Sequence, residues 1–187
     1  YDTYKYVFHD SLFKGLTANK DVKVTIDNKV VSADSYTVTY DNTGSITTGE
    51  YASSSGITVT LNDLKNTKEN GTGAKIPISS NTAVIVEYTA SLNVNSVIAG
   101  KGNPNQVYLE YSNNPQGSGT GKTTPTEVRD YAYRMKFNKV DNSTKQSLAN
   151  AKFTIKNSSG KYIAKNSSGM VIEQDALYEW VTDSKGL

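Results

Sequence analysis

The sequence predicts an all-β chain arranged as two β-sandwich domains in series. Three observations carry this. Thirteen tyrosines with abundant Val, Thr and Ser suit a pleated, half-buried surface better than a helix. Short segments of strict apolar/polar alternation recur between turn-rich stretches, and amphipathic helical spacing is not evident. A polar Gly/Pro/Ser-rich stretch near position 116 divides the alternating segments into two groups.

In chain order, alternation predicts strands at Tyr4 to Leu12, Val22 to Ile26, Tyr36 to Tyr40, Ile57 to Leu61, Ala83 to Ala90 and Val107 to Tyr111. Turns are expected at Asp27-Asn28, Asp41-Asn-Thr-Gly44 and Glu69-Asn-Gly-Thr-Gly73, whose residues tolerate positive φ or favour turns. Ser91 to Gly100 has room for one helical turn. Residues 1–115 form the first expected domain, 116–126 a linker, and 127–187 the start of a second domain with strands at Tyr131 to Lys139 and Ala151 to Ile155. Tyr1 lies inside a strand pattern and Leu187 follows a turn sequence, so further strands are expected on both sides and both domains are read as incomplete.

Composition excludes several functions. The net charge of +2 gives no electrostatic footprint for nucleic acid. With no cysteine there is no disulfide, thiolate metal site or cysteine nucleophile. No apolar run approaches the roughly 20 residues that span a bilayer, so no membrane insertion is expected of this chain. No cofactor is expected either.

Three polar residues fall in phase with apolar neighbours and therefore point towards a core. Asp10 follows Tyr4, Tyr6 and Phe8 and precedes Leu12; Asn113 follows Val107, Leu109 and Tyr111; Lys139 follows Tyr131, Tyr133, Met135 and Phe137. The bland alternative is that each marks a strand end and curls back to water. Burial would push a lysine towards a neutral, nucleophilic amine and a carboxylic acid towards a neutral proton donor. Such an acid can polarise an asparagine carbonyl and assist departure of ammonia, leaving a lysine–asparagine amide cross-link.

Tyr4-Lys-Tyr-Val-Phe-His-Asp10-Ser-Leu-Phe-Lys-Gly15-Leu-Thr17 and Asn105-Gln-Val-Tyr-Leu-Glu-Tyr-Ser-Asn113-Asn-Pro115 resemble the signature and closing strands of the collagen-adhesin A-like domain of Gram-positive backbone pilins. Phe137-Asn-Lys139-Val-Asp, Leu148-Ala-Asn-Ala-Lys-Phe-Thr-Ile155 and Tyr178-Glu-Trp180-Val-Thr-Asp183 resemble segments of that family's B-like domain. The resemblance implies immunoglobulin-like folds carrying self-generated isopeptide bonds, with Asp10 as the assisting acid, Asn113 as the electrophile (Asn105 the alternative) and Lys139 as the amine of the second domain. Lys5 and Lys23 are out of phase with their apolar neighbours, so the first domain's amine is expected upstream of Tyr1, and the acid and asparagine serving Lys139 beyond Leu187.

By the same resemblance the protein is a non-enzymatic shaft subunit of a secreted cell-surface pilus, polymerised with other pilin subunits by a sortase. The alternatives are a host-binding adhesin or ancillary pilin, whose partners would be host proteins or glycans, and a carbohydrate-binding module of a secreted enzyme. Other chemistry is weakly signalled. His9, the single histidine, is out of phase with Tyr6 and Phe8 and is expected to face solvent. Glu173 and Asp175 imitate a glycosidase pair, but in an expected loop they read as solvated charge. Gly117-Ser-Gly-Thr-Gly121-Lys-Thr123 lacks phosphate-loop spacing, and Asn142, Asn157 and Asn166 match glycosylation acceptors by chance. Tyrosines and Trp180 could form a sugar-binding platform, but alternation places most aromatics where a core needs them.

Overall fold

The computed structural model describes residues 5–46, 48–52, 54–114, 117–167, 169 and 171–187. Tyr4, with which the first strand was expected to begin, and Pro115 and Gln116 at the expected linker boundary lie outside the described residues. The chain divides into two compact units, Tyr1–Ala132 and Tyr133–Leu187. As expected, the described secondary structure is β, interrupted only by three single-turn 3-10 segments.

The first unit contains β1 (Tyr6–Leu12), β2 (Leu16–Ala18), β3 (Lys23–Ile26), β4 (Lys29–Val30), β5 (Thr37–Asp41), β6 (Ser55–Leu61), β7 (Val84–Glu87), β8 (Ala90–Leu92), β9 (Asn103–Ser112), β10 (Thr120–Lys122) and β11 (Thr126–Asp130). The large sheet runs β10-β9-β1-β6-β5, with β11 also on β9. Opposite it are β4-β3-β7 and the β2-β8 pair. Val24 and Ile26 of β3 pack with Leu12 of β1 and with Ile57, Val59 and Leu61 of β6 in one apolar cluster. This is a sandwich of antiparallel sheets whose inner faces interdigitate.

Local chemistry sets the hairpins. Asp27 and Asn28 take positive φ (46° and 65°) and join β3 to β4 with Ile26 opposite Lys29. Two such residues between paired strands fit a primed hairpin turn, which matches the natural strand twist. Gly71 and Gly73, also at positive φ, close the loop in which the Gly73 amide donates to the Glu69 carbonyl.

Some expectations need correction. Ala83 to Ala90 is two strands, because at Thr89 the ladder changes partner. The Asp21 carboxylate accepts both the Thr89 amide (2.8 Å) and its hydroxyl (2.6 Å), so β7 pairs with β3 and β8 with β2. Ser91 to Gly100 continues β8 and then turns, with no helical element. On the first strand, Ser11 is as buried as Leu12. The segment around Ile46 covers the second face of β1, where the Ser11 hydroxyl accepts the Ile46 amide at 3.1 Å.

Part of the expected linker is edge strand, at Thr120–Lys122 and again from Thr126. Thr120 pairs with Ser112 and Thr126 with Val107, so six steps along one strand match five along the other. The extra residue is a bulge at Thr123 to Pro125, where the Thr123 amide donates to the Leu109 carbonyl at 2.9 Å. The ten-residue β9 offers unpaired backbone groups along its outer edge, and a polar segment can satisfy them without burying side chains. Composition alone therefore read as linker what backbone pairing makes strand, and the chain divides after Ala132 instead.

The second unit contains β12 (Lys152–Phe153), β13 (Tyr162–Lys165), β14 (Val171–Gln174) and β15 (Trp180–Val181), paired as β12-β15 and β13-β14. The Trp180 indole donates to the Ile163 carbonyl at 2.8 Å, tying the two pairs together. Tyr131 to Lys139 is not a strand, and Ala151 to Ile155 is strand only at Lys152–Phe153. Tyr133 and Met135 are 80% and 76% exposed. Alternation sets which side chains share a face, but a strand also needs a continuous ladder to a neighbouring backbone, and among the described residues this segment makes only an isolated bridge, from Ala132 to Ile98, and scattered single bonds.

Candidate functional site

Asp10 lies near the middle of the large sheet, on β1 between β6 and β9, opposite Ile57 on one side and Val107 on the other. Leu12 is opposite Asn105. Side chains two apart share a face, so Asp10 and Asn105 are diagonal neighbours on the core face. Tyr6, Phe8 and Leu12 pack into the core on that face, and Asp10 with them is only 8% exposed.

Tyr88 reaches the pair from the opposing sheet, just after β7. It continues the inward phase of Val84 and Val86 and packs against the same core. Its hydroxyl donates to Asp10 Oδ2 at 2.8 Å and accepts from Asn105 Nδ2 at 2.6 Å. Burial pushes the Asp10 carboxyl up to about 6, against the opposing hydrogen bonds of Tyr88 and Asn105. Burial also raises the Tyr88 phenol, and the adjacent Asp10 charge adds to it.

Two atoms of this array are buried without a hydrogen-bond partner among the described residues, Asp10 Oδ1 and Asn105 Oδ1. Leaving such atoms unpaired costs about 1–3 kcal/mol each, so their presence calls for a role. Asn103, two residues back on β9, is the contrast. Its Oδ1 accepts the Val97 amide at 2.7 Å, and its Nδ2 donates to the carbonyls of Val97 and Asp130, both at 3.2 Å. Asn103 is a saturated structural asparagine; Asn105 retains a free carbonyl oxygen. A cavity of about 470 Å³ opens beside it, lined by Tyr88, Asn105, Leu16, Leu92 and Asp130 among others.

The structure thus brings Asp10 together with Asn105 and not with Asn113. Asn113 is exposed beyond the end of β9, six residues from the position opposite Asp10. At about 3.3 Å per residue that separation is roughly 20 Å. The apolar phase carries on to Asn113, but the sheet that would bury it has ended. Lys139 is likewise exposed, with its amide donating to Gly186 and its carbonyl accepting from Leu148, so the core burial expected of it is not found.

His9 is half-buried rather than solvent-facing. It stacks on Tyr108 with centroids 4.7 Å apart, and its Nε2 lies 3.4 Å from Glu110 Oε2. Desolvation by burial lowers its pKa despite Glu110. Glu173 lies in β14 and Asp175 is exposed, 3.8 Å from Lys161, which is surface pairing. Tyr88, absent from the candidates read in the sequence, was signalled there: it carries a polar tip in phase with Val84 and Val86.

No protein-family model matches the chain. No curated protein matches it either. Among solved structures it is similar to the group B streptococcus pilus 2b backbone protein, with 19% identity, a TM-score of 0.58, and coverage of 98% of this chain and 65% of that one. It is also similar to a variant of BcpA, the major pilin subunit of Bacillus cereus, with 20% identity, a TM-score of 0.55, and coverage of 99% and 44%. The chain therefore spans less than two thirds of either. At these identities the likeness is one of fold: the chain shares the all-β architecture of these Gram-positive backbone pilin structures.

Proposed function

We propose that the chain is a structural module of a covalently polymerised surface pilus, and that its first unit is strengthened by an isopeptide bond between Asn105 and a lysine of the full-length protein, formed with the help of Asp10. The observation that carries this is the buried Asp10–Tyr88–Asn105 array, with two unpaired oxygens, inside a pilin-like sandwich. A protein without cysteine that must bear tension gains from a cross-link that reductants cannot open. Other pilin subunits are the proposed partners, joined outside the cell. The proposal does not extend to Lys139, whose side chain is exposed.

Intact mass of the full-length protein is the test. Each cross-link expels one ammonia, so the protein should be lighter than its sequence by about 17 Da per bond. A mass equal to the sequence mass overturns the isopeptide reading.

A second reading, a host-binding or glycan-binding role, is favoured by the exposed Tyr133 and Met135. Exposed apolar rows of this kind can serve as contact surfaces. Glycan-array and host-protein binding that is lost on Tyr133→Ala would support it.

A further inference from the structure

We infer that Tyr88 is a proton relay through which Asp10 acts on the Asn105 amide. The inference rests on the isopeptide reading above and assigns a role to a residue outside the acid, amide and amine.

A phenol has one hydrogen, and this fixes the direction of the array. As the structure stands, Tyr88 spends that hydrogen on Asp10 Oδ2, so it can only accept from Asn105, and Asn105 presents Nδ2. This is the arrangement suited to an ionised Asp10, and it leaves Asn105 Oδ1 without a donor. When Asp10 carries a proton, it can donate to Tyr88, and Tyr88 is then free to donate onward. The acceptor at Asn105 must then be Oδ1, which a turn of the amide about its terminal torsion supplies. Only in this second arrangement is the carbonyl polarised for attack. A carboxyl pushed up to about 6 makes both arrangements accessible near neutral pH.

The groups facing Asp10 are Tyr88 from the opposing sheet, Asn105 and Val107 on β9, and Ile57 on β6. Asp130 acts on Tyr88 by charge.

The step balances. The neutral lysine nitrogen attacks Asn105 Cγ and forms the new C–N bond while Oδ1 takes the Tyr88 proton and Tyr88 takes that of Asp10. The Asp10 carboxylate then collects a proton from the attached lysine nitrogen and delivers it to Nδ2. The Cγ–Nδ2 bond breaks, ammonia leaves, and the proton on Oδ1 returns through Tyr88 to Asp10. Both side chains end as they began, and nothing is oxidised or reduced.

The test uses the full-length protein made by pulsed cell-free synthesis, with ammonia loss followed by intact mass. Tyr88→Phe keeps the ring and removes the hydroxyl; it should slow cross-linking by roughly 100-fold. The Tyr88 hydrogen bond holds the Asp10 pKa down, so in Tyr88→Phe the loss of rate on the alkaline side of Asp10 titration should move to higher pH. Site-specific 3-fluorotyrosine at position 88 retains the hydroxyl with a more acidic phenol, and the rate should rise with that acidity; a merely structural tyrosine would leave it unchanged. Tyr88→Phe at the wild-type rate, or a fluorotyrosine protein indistinguishable from wild type, overturns the relay while the isopeptide reading stands. A wild-type protein that loses no ammonia overturns the isopeptide reading itself.

Discussion

Asn105 Nδ2 donates to the Tyr88 hydroxyl at 2.6 Å, joining a strand of the large sheet to the opposing layer through polar atoms inside an apolar core. Asparagine two residues earlier, at position 103, is fully paired by backbone groups. Two asparagines on one strand face thus differ in what they leave available.

Asn105→Ala in the full-length protein is expected to abolish the first unit's loss of about 17 Da, and Asn113→Ala to leave it intact. The reason is position: Asn105 is diagonal to Asp10, whereas Asn113 is exposed beyond the sheet. Intact mass of the two variants checks this, and the opposite result would return the electrophile to Asn113.

Stability of the chain without a cross-link should decline between about pH 4 and pH 6. The folded-state pKa of Asp10 is raised from 3.8 to about 6, so in this window the folded chain holds a proton that the unfolded chain has released. Stability falls with pH wherever the unfolded state binds fewer protons. The contribution is full below the unfolded pKa and lost as pH rises through the folded one, by up to about 3 kcal/mol at 1.36 kcal/mol per unit. Urea midpoints across this range should fall in wild type and flatten in Asp10→Asn.

Gly121→Val should destabilise the first unit by about 1–3 kcal/mol. A Cβ at position 121 would lie 2.8 Å from the Tyr111 ring, so a side chain there requires Tyr111 to give up its packing over β10. Chemical denaturation measures the loss, and faster amide exchange at Thr120 and Lys122 would localise it. A neutral substitution would show that Tyr111 swings aside freely.

Alternation by itself determined that the chain is β, where most first-unit strands lie, and that Asp10 faces inward, because side chains two apart must share a face. Turn residues determined the Asp27-Asn28 hairpin for an equally local reason, their tolerance of positive φ. What tertiary structure decided depends on partners distant in sequence. Asn105 rather than Asn113 meets Asp10 because of the register between β1 and β9, and no periodicity within β9 encodes it. Tyr88 joins them because the opposing sheet folds over this face, across 78 residues of chain. The polar segment after Gly119 became strand because β9 had backbone groups to satisfy, whereas the well-patterned Tyr131 to Lys139 stayed largely exposed, with an isolated bridge from Ala132 to Ile98 but no strand ladder among the described residues. Hydrogen-bond pairing is a property of two backbones, and one segment's composition cannot report it.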